Sequence, residues 1–212
     1  MTWHCPVLGE IANSLRRMKK MKKGCIQVYT GDGKGKTTAA LGLGLRAVGR
    51  GFTVWMFQFL KGTPSGELES IPLLGGRFRV FRLAETTKFF KALSDAEKES
   101  LKARLQAELE QVKEAMRANS CDVMILDEIC AAIHADLLSV GEVCALIDGR
   151  PPGMELVLTG RSAPAELLER ADLVTEMRCV KHYMDAGVPA RAGRCRRAAP
   201  HATSNGGATT RR

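Results

Sequence analysis

The chain has 212 residues, 45% of them hydrophobic and 26% charged, which suits one domain with a full apolar core. No apolar run approaches the roughly 20 residues a membrane-spanning helix requires, and the basic stretch at residues 16–23 follows a weak apolar segment instead of preceding a strong one, the reverse of a secretory signal. The formal charge of +9 lies at the ends: residues 1–23 carry +5 and residues 190–212 carry +6, leaving −2 for residues 24–189, and with only 5% aromatics that body does not read as a nucleic-acid binder.

In chain order, residues 1–22 read as a disordered basic extension, with Met18 or Met21 as alternative initiators. A strand is expected over residues 25–30. The next residues, Thr30-Gly31-Asp32-Gly33-Lys34-Gly35-Lys36-Thr37-Thr38, pass from that strand into a helix that begins at Lys36 and stops near the glycines at 49 and 51. This is the setting of a phosphate loop: glycines let the backbone amides converge on phosphate oxygens, the helix N-terminus adds free N–H groups, Lys36 supplies a point charge and Thr37 a hydroxyl for a nucleotide-borne Mg²⁺. The spacing departs from the usual pattern in one place, with Thr30 where glycine is the rule and Gly31 one position later; Lys34 is an extra charge inside the loop.

Further strands are expected at residues 53–58, 78–83, 121–127, 155–159 and 173–176. Val54-Trp55-Met56-Phe57, Val123-Met124-Ile125-Leu126 and Leu156-Val157-Leu158 are continuously apolar, as strands covered on both faces are. Between them, Ser94 and Glu97 form a capping box that starts a helix whose Leu101, Leu105, Leu109, Val112 and Met116 mark one packing face. Shorter helices are expected at 139–148 and from Pro164. Asp127-Glu128 ends an apolar strand, where a carboxylate either holds a metal ion or caps a helix. Beyond residue 192 the chain is small, basic and aperiodic, a disordered tail. The seven cysteines are scattered, with no Cys-x-x-Cys, as in a cytoplasmic protein using cysteine as a small hydrophobe. The expected architecture is therefore α/β: a P-loop NTPase-like (RecA-like), mostly parallel sheet of about six strands with helices on both faces, one domain over residues 23–191.

With these anchors in place, the chain resembles the P-loop cob(I)alamin (corrinoid) adenosyltransferases, the family of cob(I)yrinic acid a,c-diamide adenosyltransferases. The carriers are VYTGDGKGKTTAALGLGLRAVG at 28–49, QFLKG at 58–62, Gly66-Glu67, DVMILDE at 122–128, LTGR at 158–161 and ADLVTEMRCVKHYMDAGVPARAG at 171–193. The resemblance implies transfer of the 5′-deoxyadenosyl group of ATP to the Co(I) of cobalamin or a corrinoid precursor, with release of triphosphate. It implies Mg²⁺ or Mn²⁺ as cofactor, an electron-donating reductase or flavodoxin-like partner, and a homodimer. Carried over position by position, Gly31, Asp32, Gly33, Lys34, Gly35, Lys36, Thr37 and Thr38 match the ATP loop. Lys34 and Lys36 match the charges facing the leaving group, and Thr37, Asp127 and Glu128 match the metal set. Glu67 and Arg161 stand in motifs near the nucleotide. Phe89 and Phe90 are the local match for aromatics against the corrin, although Lys91 stands where another aromatic is usual, and core packing explains both phenylalanines equally well. Lys181-His182 belongs to the C-terminal signature, with His182 read as structural. Two alternatives stand beside this one: a kinase or NTPase cleaving the β–γ bond, for which the sequence offers no base, and a non-catalytic nucleotide- or corrinoid-binding module.

Overall fold

The computed structural model describes residues 23–87 and 90–188. The extension expected at residues 1–22, the tail at 192–212, and Phe89 lie outside the described residues.

Among the described residues six short segments form the strands: β1 Ile26–Thr30, β2 Val54–Phe59, β3 Phe78–Leu83, β4 Val123–Asp127, β5 Glu155–Thr159 and β6 Leu173–Glu176. They pair in the order β3-β2-β4-β5-β1-β6, and every pairing is parallel. Parallel neighbours need crossovers, and the helices provide them: α1 Lys36–Gly49, α2 Glu67–Ser70, α3 Asp95–Arg117, α4 Ile129–His134, α5 Val140–Asp148 and α6 Ala165–Arg170. The register sets Val54 opposite both Phe78 and Val123, so the central strands are flush at their N-terminal ends and finish together at the opposite edge.

The continuous apolar runs are explained by the two faces. Val28, Phe57, Phe59, Met124, Leu126, Leu156 and Leu158 pack on α3, α4, α5 and α6. Their neighbours Tyr29, Val54, Met56, Val123, Ile125 and Val157 face the other way, against α1 and a 3₁₀ turn at Ile71–Leu74. Alternation thus persists along the central strands β2, β4 and β5, but both partners of the alternation are buried there.

Local chemistry starts and stops the helices. The Ser94–Glu97 capping box is formed, and a second joins Ser139 and Glu142 at the head of α5. Leu101, Leu105, Leu109, Val112 and Met116 are all buried, and full burial of such a side chain contributes about 1.5–3 kcal/mol. Pro164 is extended and acts as the N-cap of α6 instead of its first helical residue, because its hydrogen-bonding carbonyl already starts the helix. Sequence patterning misses α2 and α4, which are too short to show a period.

Four of the described cysteines are not exposed, and burial pushes the Cys121 and Cys130 thiols up to about 12. Both therefore stay protonated at neutral pH. In native protein treated with an alkylating reagent at pH 7.5, peptide mass spectrometry should find Cys179, which is exposed, modified and Cys121 and Cys130 unmodified. Modification of all three at one rate would contradict the packing described.

The body of the protein runs to Cys179, and the chain from Val180 onward is a separate unit. In it the ring of His182 stacks on Tyr183 with centroids 4.4 Å apart, and its Nδ1 accepts the amide of Met184 at 3.2 Å, capping a 3₁₀ turn at Tyr183–Ala186.

Candidate functional site at the C-terminal edge of the sheet

The residue that follows each of the first five strands adopts a positive φ: Gly31 at 93°, Leu60 at 59°, Ala84 at 49°, Glu128 at 65° and Gly160 at 144°. Three of these carry a Cβ, and such a conformation costs on the order of 1 kcal/mol or more for each. The shared turn directs the next residues across the C-terminal edge of the sheet, where open parallel sheets place their ligands.

After β1 the chain forms the glycine-rich loop and enters α1. Gly31 lies against the main chain of Met177, so its positive φ and its missing Cβ are both required; a Cβ on Gly33 would stand 2.7 Å from the same carbonyl group. The Gly33 amide donates to the Met177 carbonyl at 2.6 Å, which ties the loop to the segment after β6. Lys36 is only 7% exposed, and its ammonium donates to the carbonyls of Gly31 at 2.5 Å and Gly33 at 2.8 Å. Burial holds this ammonium below the usual lysine range and Arg161 adds to that, against opposing support from Glu128, Asp32 and Asp127. Asp32, Lys34 and Thr38 are exposed.

The second anchor is Asp127, fully buried at the end of β4. Its Oδ1 accepts from Thr37 Oγ1 at 2.8 Å and from Thr159 Oγ1 at 2.7 Å; its Oδ2 is paired with the Lys61 ammonium and receives Gln58 Nε2 at 3.5 Å. Lys61 also donates to Thr37 Oγ1 at 3.3 Å. Gln58 reaches on to Glu67 Oε1 at 3.1 Å, and Ser65 Oγ donates to the other oxygen of that carboxylate. Burial alone would raise the Glu67 carboxyl; the hydrogen bonds of Ser65, its own backbone and Gln58, with the charge of Lys61, outweigh it and hold it below the ordinary range. One chain of polar contacts thus runs from the phosphate loop through Thr37, Asp127 and Gln58 to Glu67.

Thr37, Asp127 and Glu67 are therefore in one network, and Glu128 and Arg161 lie within electrostatic reach of Lys36. Phe90 is placed elsewhere: it packs against the hydrophobic layer on the α3 side, with the Lys98 ammonium 5.9 Å from its ring centroid. Sequence reasoning overlooked Lys61, Gln58 and Thr159 as site residues. A signal was present for Gln58, a polar residue inside an otherwise apolar strand.

The cluster fits a small hard divalent cation. Its donors are hydroxyl and carboxylate oxygens, and a cation, the Lys61 ammonium, already rests against both Thr37 and Asp127. Among the described residues no group of three or more His, Cys, Asp or Glu could enclose a metal, so such an ion would complete its shell with phosphate and water, as Mg²⁺ does.

Glu128 is tuned against folding. Burial raises its carboxyl above the usual carboxylate range and the adjacent Asp127 adds to this, partly offset by Lys61, Lys36 and Arg161. A folded pKa above the unfolded value of about 4.5 means that the native state binds more protons in that interval, so this contribution is present below pH 4.5 and is lost as pH rises through the folded value. Glu128→Gln should therefore raise the metal-free Tm at pH 7 and flatten the loss of stability above pH 4.5. A lower Tm at pH 7 in the calorimeter would contradict this.

Residues 22–194 match the family profile described as ATP:corrinoid adenosyltransferase BtuR/CobO/CobP. The chain is 38% identical over 173 residues to a corrinoid adenosyltransferase of Escherichia coli (strain K12), covering 81% of this chain and 85% of that protein. It is 37% identical over 173 residues, with the same coverage, to corrinoid adenosyltransferase CobA of Salmonella typhimurium. To a corrinoid adenosyltransferase of Sinorhizobium sp. it is 36% identical over 178 residues, covering 82% of this chain and 81% of the relative.

Proposed function

Since this chain belongs to the ATP:corrinoid adenosyltransferase family, we propose that its loop and strand-end cluster hold the triphosphate of ATP as the leaving group while reduced corrinoid takes the 5′-deoxyadenosyl group. The enzyme is an ATP:corrinoid adenosyltransferase. In the proposed reaction the electron pair of Co(I) attacks C5′ of the ribose, the C5′–O bond breaks, and its electron pair leaves with triphosphate, cobalt ending formally as Co(III).

The observation that carries this reading is the pairing of a buried loop lysine with a strand-end carboxylate cluster at one sheet edge. The nucleophile comes with the substrate, so the protein's work is positioning and charge stabilisation. The edge is built accordingly: Lys36 is pre-set by two loop carbonyls, the helix α1 points its N-terminus at the loop, and Cys130, beside the cluster, is held protonated. Thr37, Asp127 and Glu128 would hold Mg²⁺ or Mn²⁺, which supplies positive charge to the phosphates when bound. Lys34, exposed on the loop, would add its charge to the triphosphate. Arg161 and Glu67 would orient the nucleotide from either side.

For the corrin side, Phe89 and Phe90 are the proposed contacts, with the packing of Phe90 on the core arguing for a supporting role. A reductase or flavodoxin-like protein that delivers Co(I), a cytoplasmic location and a homodimer complete the proposal. No helix among the described residues is long and apolar enough to cross a membrane.

Anaerobic incubation with ATP, Mg²⁺ and chemically reduced corrinoid tests the reaction. The expected products are a light-sensitive cobalt–carbon species and triphosphate in equal amounts; ADP and phosphate would refute the reading in favour of a kinase or NTPase.

A further inference from the structure

Lys61 is not accounted for by the reaction as derived, yet the fold takes trouble to place it. Leu60, directly before it, is held at a φ of 59°, and its amide bonds the Leu83 carbonyl at 3.0 Å. Gly62, directly after it, donates to the Thr86 carbonyl at 3.1 Å, and a Cβ there would lie 2.5 Å from the Thr86 carbonyl carbon. The main chain is thus braced on both sides of Lys61. The Lys61 side chain is 26% exposed, whereas the carboxylate it meets is fully buried.

Its ammonium is in ion-pair contact with Asp127 Oδ2 and 3.3 Å from Thr37 Oγ1. Thr37 spends its proton on Asp127 Oδ1 at 2.8 Å, which leaves its lone pairs to face a cation. The oxygens that Lys61 bridges are therefore the ones a divalent ion would need. Two cations at one point repel strongly in a buried site, so the ammonium and the ion exclude each other.

We propose that Lys61 is a positioning residue, a built-in cation that occupies the divalent-metal position until metal arrives with nucleotide. The proposal rests on the reading of Thr37 and Asp127 as the metal set. It follows that Lys61 neutralises Asp127 and disfavours metal binding by itself. Mg²⁺ enters together with a triphosphate, because the phosphates give the displaced ammonium a new anionic partner across the loop.

The test is Mn²⁺ binding to the full chain, read from loss of the free-ion electron paramagnetic resonance signal, with and without ATP. Without ATP, Lys61→Met and Lys61→Gln should each bind Mn²⁺ roughly tenfold or more tighter than wild type, and adding Asp127→Asn to either should abolish the gain. Lys61→Gln keeps a hydrogen-bond donor for Asp127 and carries the measurement if Lys61→Met fails to fold. Nucleotide-free Mn²⁺ affinity within twofold of wild type in the folded Lys61 variants overturns the proposal. The underlying metal reading fails separately, if Asp127→Asn leaves Mn²⁺ binding in the presence of ATP unchanged.

Discussion

Lys36→Ala is expected to lower the rate of adenosylcorrinoid formation by about 10²–10³-fold, the usual cost of deleting one charge-stabilising donor aimed at a leaving group. The ammonium is pre-organised: two loop carbonyls hold it, and the site's burial weakens the competing hydration that would otherwise screen it. Lys36→Arg should not rescue, because a guanidinium cannot fit where a single nitrogen sits 2.5 and 2.8 Å from two carbonyls of one loop. The same substitution carries a thermodynamic signature. The folded pKa of Lys36 lies below its unfolded value of about 10.5, so the unfolded chain binds more protons between the two values and wild-type stability rises with pH across that interval. Lys36→Ala should lose this slope while remaining folded. Initial rates under anaerobic conditions and chemical denaturation at several pH values measure the two effects; turnover within tenfold of wild type would remove Lys36 from its assigned role.

Asp127→Ala should damage both stability and activity. The fully buried carboxylate accepts from Thr37 and Thr159, pairs with Lys61 and receives Gln58. Removing it leaves the partly exposed Lys61 ammonium and several donors without their acceptor, a loss on the order of 3 kcal/mol, the low end for a broken buried pair, or roughly 10 °C in Tm for a domain of this size. Asp127→Asn keeps the shape but turns an amide donor toward the donors of Lys61 and Gln58, so it too should be destabilising. Combining it with Lys61→Met removes that conflict and should recover most of the lost stability with no recovery of turnover. This separation matters: the carboxylate stabilises the fold through its partners, and under the proposed function it would serve the reaction through its charge, which a neutral pair cannot supply. A Tm loss below about 2 °C for Asp127→Ala would show that the network is not buried as described.

Much of this site is legible as sequence for a physical reason. The phosphate loop is local: Gly31, Gly33, Lys36 and Thr37 work within eight residues, and their backbone demands are met by residue type alone. The capping box at Ser94 and Glu97 and the leucine face of α3 are likewise local, since a helix satisfies its own backbone and shows its buried side at a fixed period. Asp127-Glu128 can be placed at the end of an apolar strand, and the chemistry of carboxylates at such an end is general.

What the sequence could not decide is which of these pieces touch. Thr37 and Asp127 are 90 residues apart, and the hydrogen bond between them exists because β4 and β1 both end at one edge with β5, and its Thr159, between them. Lys61 reads as a solvated loop lysine until the left-handed turn at Leu60 and the tie from Gly62 to Thr86 aim it at the buried carboxylate. Phe90 reads equally as a ligand contact or a core residue, and only the tertiary structure shows it partly buried against the α3 layer. Residue type and short-range spacing, then, determined the glycine-rich loop and the strand–helix alternation, and the ordered motifs carried the family resemblance. The order in which the strands lie side by side decided the polar network, because contacts between distant segments depend on sheet order and register, which no local pattern encodes.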